Sequence, residues 1–128
     1  MKIKAGELKI IAEGLSEILK IDLPVKPSYW LARIANKVES EMMAFETIRM
    51  NLIKKYAKKD KKGGFIFIQD KDKKQQYDIS DIDAFNKEFN ELFSQEIEID
   101  VNPIKLDSLG DIKIKPLILA KLGKIIEI

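Results

Sequence analysis

The sequence predicts an α+β fold: antiparallel helices, one of them long and amphipathic, followed by a small, mainly antiparallel sheet from the C-terminal third. Three observations predict it. Leu31, Ile34, Val38, Phe45, Ile48 and Leu52 step by three and four through residues 27–58, marking one face of a long helix. Leu8, Ile11, Leu15 and Ile18 repeat that spacing ahead of it. Glu96 to Val101 alternates strictly between acidic and apolar residues, the period of a half-buried strand. The 128 residues suit a single domain, 1–128, able to bury a core. Within it, 1–62 read as the helical part, 63–79 as a β-hairpin, 80–95 as a helix and 96–128 as strands with a short helix.

Each element follows from local chemistry. The first helix, 5–20, ends at Asp22-Leu23-Pro24, because the residue before proline avoids helical geometry. Pro27 suits the first turn of the long helix. A straight helix of this length spans about 48 Å, more than the roughly 36 Å expected across a compact domain. Either the helix bends, or it ends nearer Tyr56, or a second subunit covers the overhang, and the last is favoured. Gly63-Gly64 stops the helix, and Phe65-Ile66-Phe67-Ile68 with Gln76-Tyr77-Asp78-Ile79 reads as a hairpin closed by Asp70 to Lys73. Ser80 is placed to cap a third helix over 81–94, with Asp83 as the acidic member of a capping box. Ile82, Phe85, Phe89 and Leu92 form its apolar stripe. Beyond it, 97–101, 104–106 and 112–114 read as strands, Pro116 opens a short helix closed by Gly123, and 124–128 is a last strand.

Composition narrows the chemistry. The chain has no cysteine and no histidine, which removes thiolate chemistry, cysteine zinc sites, histidine triads and the commonest general base. A non-enzymatic protein with no catalytic residue, metal or cofactor is expected. No apolar run approaches the roughly 20 residues of a membrane span, and the charged start lacks a signal-peptide core, so the chain reads as cytosolic. Lysine and isoleucine each occur 21 times against two arginines, which argues against base-specific DNA readout through arginine. Net charge is +2 but unevenly spread: nine lysines and three aspartates fall in 54–74, ten acids and two lysines in 75–111.

Four features compete for function. The long stripe, Leu31 to Leu52, marks a core or a subunit seam, with Glu41 and Lys55 where its next apolar members would stand. Glu41 and Arg49 lie on or beside it, about 12 Å apart along the axis. They either reach water at its edge or pair between subunits across two antiparallel helices. Tyr29-Trp30 fills a corner between helices or anchors a partner. Lys54, Lys55, Lys58, Lys59, Lys61 and Lys62 form a solvated helix end or a surface that tracks phosphates. Asp70, Asp72, Asp78 and Asp81 only superficially suggest a calcium loop, since Lys74 and Gln75 stand where a ligand and a glycine belong.

Leu23-Pro24-Val25-Lys26, Tyr29, Leu31-Ala32, Glu41, Arg49, Leu52-Ile53 and Lys55-Tyr56 resemble a group of small proteins of unknown function. These are encoded by phages and prophages of Gram-positive bacteria. Phe89-Asn90-Glu91-Leu92, the glutamates around Ile97, and Pro103-Ile104-Lys105-Leu106 are similar as well. The likeness covers most of the chain and lapses in the lysine-rich Phe-Ile-Phe-Ile centre. It implies a phage-type accessory protein in the cytoplasm of a bacterial host, with Glu41 and Arg49 as shared features. The expected function is an oligomeric protein-interaction module, a dimer by preference, with an unidentified protein partner. The alternative is a nucleic-acid-associated accessory protein using 54–74.

Overall fold

The computed structural model describes residues 1–128 and is α+β. In chain order the elements are β1 (Lys2–Lys4), a 3-10 turn, α1 (Leu8–Ile18), α2 (Val25–Tyr56), β2 (Phe67–Gln69), β3 (Gln75–Tyr77), α3 (Ile82–Phe93), β4 (Glu96–Glu98), β5 (Ile104–Lys105), α4 (Pro116–Leu122) and β6 (Ile126–Glu127). The strands form three separate two-stranded ladders, not one sheet: β1 with β4 and β2 with β3 antiparallel, β5 with β6 parallel. Two compact units result, one from Met1–Ala44 with Phe93–Ile128, the other from Phe45–Leu92. The single domain read from the sequence is thus distributed over two units, and α2 runs through both.

The first unit has an aliphatic interior. Leu8, Ile11, Leu15 and Ile18 all turn inward from α1, as their spacing requires. Leu31, Ile34 and Val38, the first half of the long stripe, are buried with them. Ile99, Leu109, Leu122 and Ile125 are among the other members of the core. Gly14 lets α1 approach α4 closely; a Cβ there would lie 3.0 Å from the Lys121 Cβ and 3.1 Å from the Leu122 Cδ2. Lys121 reaches back over this contact to Glu17 at 2.8 Å, which holds the Glu17 carboxyl below its ordinary range.

Several sequence expectations are corrected here. The partner of the acidic strand is the N-terminal Lys2–Lys4, in the register Lys2↔Glu98, Ile3↔Ile97, Lys4↔Glu96. Lysines meet glutamates on the wet side of the ladder, while Ile3 is buried. Ile112 to Ile114 forms no strand and lies in the connection into α4. Tyr29 is exposed and Trp30 only half-buried, so the pair does not fill a core corner; Arg33 instead stands over the Trp30 ring at 5.0 Å.

The second unit is held by a backbone junction. Lys58 N–H donates to the Asp78 carbonyl, Asp78 N–H to Ile66, and Ile66 N–H back to Lys58, at 2.7, 2.9 and 2.9 Å. This closed ring joins the chain leaving α2 to both arms of the β2–β3 hairpin. The start of α3 also differs from expectation. Asp81 is the cap, accepting from Ala84 N–H at 3.1 Å, whereas the Ser80 hydroxyl donates to the Tyr56 carbonyl at 2.9 Å. Asp81 sits directly before the first helical residue, and Ser80 is drawn off to satisfy the end of α2.

Candidate functional site

Burial divides the long stripe into two halves. Leu31, Ile34 and Val38 are buried, Phe45 and Leu52 are half-buried, and Ile48 is 46% exposed. Glu41 is partly exposed, so it is not a charge locked in a core. Arg49 does not seek Glu41. Its guanidinium forks onto Glu46 one turn earlier, with Nε donating to Oε2 at 2.8 Å and a second bond from the terminal nitrogen to Oε1. The carboxylate beside it raises the Arg49 pKa. The sequence reading overlooked Glu46, although its spacing of three from Arg49 is the signal for such a pair.

Beyond Ile48, α2 and α3 of the second unit share an aromatic cluster. Tyr56 meets Phe85 edge-on at 6.1 Å, and Phe85 meets Phe89 at 5.2 Å. Lys55 donates to both Glu88 oxygens at 3.1 and 3.2 Å. Hydrogen bonds from the Tyr56 hydroxyl and then Lys55 lower the Glu88 pKa, while the Glu88 partnership raises both Tyr56 and Lys55. Lys55 thus leaves the apolar position that the repeat assigned it and becomes a link to α3. Even so, α3 buries none of its 12 residues, and Ile82, the first member of its stripe, is 60% exposed. An amphipathic helix in this condition has an apolar face only partly covered within the chain.

The lysine run is likewise divided. Lys55 and Lys58 are engaged, the latter with Asp78 at 3.5 Å, and Lys59 lies 5.6 Å from the Phe65 ring centre. Lys54, Lys61 and Lys62 are exposed. Because α2 stops at Tyr56, Lys58 to Lys62 belong to the first strand-like arm and turn of the hairpin region, not to a helix end.

The first unit carries an open cleft of about 420 Å³, with Arg33, Lys37 and Asp100 among its lining residues. Asn36, Ser40 and Val101 complete the lining, which makes the cleft a mixed polar surface. No helix is long and apolar enough to cross a membrane. Comparison with protein families, with curated proteins and with solved structures returned no match.

Proposed function

We propose that this protein is a non-enzymatic accessory protein of the phage type that works as an oligomeric interaction module in the bacterial cytoplasm. The docking face is the helical part of the second unit, formed by the end of α2 and by α3. One observation carries the reading: α3 has a complete three-four apolar stripe and buries no residue. Ile48 on α2 and Ile82 on α3 are themselves exposed. A second copy of the chain is the favoured occupant. Lack of histidine and cysteine supports the non-enzymatic reading, and the likeness of the 23–56 segment to phage-encoded proteins supports the accessory role.

In this proposal the dimer seam uses Phe45, Ile48 and Leu52, while Leu31, Ile34 and Val38 serve the first unit's own core. The Glu41–Arg49 exchange between subunits drops out of it, because Arg49 is already held by Glu46. Light scattering after size exclusion tests the proposal. The chain is expected at twice its monomer mass at micromolar concentration, at low and high salt alike. Ile48→Asp with Ile82→Asp, both at exposed positions, is expected to give a folded monomer. A wild-type chain that stays monomeric across that range contradicts the proposal.

A further inference from the structure

The hairpin region repeats one small structure twice. In Asp60 to Gly64 and again in Asp70 to Lys74, the leading aspartate Oδ1 accepts the backbone N–H groups two and four residues ahead, all at 2.9 Å. In each, the N–H three ahead donates to the aspartate carbonyl, and the aspartate N–H donates to the carbonyl four ahead. Each turn has its fourth residue at positive φ, Gly63 at 81° and Lys73 at 60°. Each turn uses its leading aspartate internally, while Lys61, Lys62, Lys71, Asp72, Lys73 and Lys74 are exposed.

That arrangement changes the electrostatics. Of the three aspartates that stand against nine lysines in 54–74, Asp60 and Asp70 are hydrogen-bonded within their own turns and Asp72 is exposed, while Asp78 beyond the segment is paired with Lys58. Asp70 also accepts from the Gln76 side chain at 2.9 Å. Lys61, Lys62, Lys71 and Lys74 are exposed around the hairpin. Between the two turns lies an aromatic strip. Phe67 and Tyr77 are register partners with ring centres 4.8 Å apart, and Phe65, two residues before Phe67 on the same face, meets Tyr77 at 5.6 Å. Phe67 is 45% exposed. A fringe of unpaired ammonium groups around exposed rings is what an unpaired polynucleotide requires: phosphates meet the lysines and bases stack on the rings. An acidic peptide would satisfy the lysines and leave the rings without a planar partner. Duplex readout is disfavoured, since the unit's one arginine, Arg49, is occupied by Glu46.

We propose that the β2–β3 hairpin and its two aspartate-headed turns form a binding surface for single-stranded nucleic acid, without sequence preference. This surface is separate from the helical docking face, so the two proposals stand or fall apart. The test is fluorescence anisotropy of the full chain with labelled dT20 and rU20 over a series of salt concentrations. Both strands are expected to bind at low salt, with log K falling linearly against log salt by about 0.7 for each phosphate contacted. Neutralising exposed turn lysines (Lys61→Gln, Lys62→Gln, Lys71→Gln, Lys74→Gln) is expected to flatten that slope. Phe67→Ala is expected to weaken binding roughly tenfold, in line with the loss of one stacked base, while leaving the slope unchanged. Absence of binding at low salt, equal affinity for duplex DNA, full competition by polyglutamate, or indifference to Phe67→Ala would each overturn the proposal.

Discussion

The two units solve the problem of burial differently. Sixteen of the seventeen buried apolar residues belong to the first unit, and the second contributes only Ala57. Yet seven of the ten aromatic residues (Phe45, Tyr56, Phe65, Phe67, Tyr77, Phe85 and Phe89) lie in the second. The first unit packs branched aliphatic chains into a closed interior. The second, with 48 residues, has too little chain to close one and arranges its rings in edge-on and tilted pairs across half-open faces. Large apolar side chains therefore do not by themselves signal a core. What decides is whether enough chain surrounds them, and where it does not, they stay partly exposed.

The sharpest way to break this comparison is to make the same substitution at two positions on one stripe. Leu31→Ala empties a fully buried site and is expected to cost about 2–5 kcal/mol in urea unfolding. Leu52→Ala, half-buried in the second unit, is expected to cost less than half as much in the dilute protein. Equal costs would mean that the second unit is as well packed as the first. A smaller effect is expected at the start of α3. Asp81→Ala removes its cap, at about 0.5–2 kcal/mol, and the loss of helicity seen by circular dichroism should be confined to the second unit.

The smallest effect concerns pH, and each unit offers one site. Glu17 in the first unit and Glu88 in the second both have lowered pKa values, from Lys121 and from Tyr56 with Lys55 respectively. A carboxyl with a lowered native pKa adds stability that is present above its ordinary value and is lost as pH falls through the lowered one. Acid should therefore loosen both units slightly. Glu17→Gln should remove that sensitivity from the first unit alone and Glu88→Gln from the second alone, as read from melting temperature and from tyrosine absorbance. Tyrosine absorbance at high pH offers a companion check, since Tyr56 titrates above its ordinary range while Glu88 holds it.

Legibility in the sequence followed the same division. Where apolar spacing is continuous and the face is fully buried, as in Leu8 to Ile18, helix and core were readable together, because one periodicity determines both. The long helix was readable for the same reason, but its stripe did not reveal that burial stops after Val38. Periodicity reports which residues share a face and is silent about what covers it. The strand Lys2–Lys4 escaped because three residues carry too little pattern, although Lys-Ile-Lys against Glu-Ile-Glu is a complementary pair in charge and alternation. At the candidate surfaces, the lysine run was visible as charge. Its division into engaged and outward groups depends on the two turns and on Asp78, which are properties of the folded hairpin.

Native-state hydrogen exchange, followed residue by residue at low and high protein concentration, tests the contrast between the units most directly. At low concentration, amides of α1 and of α2 through Val38 should exchange only by global unfolding, and those of α3 should exchange far faster through local opening. At high concentration, α3 and the end of α2 should gain protection while the first unit does not change. Equal protection of α1 and α3 in dilute solution would contradict the account, because it would mean that the second unit closes its core without a partner.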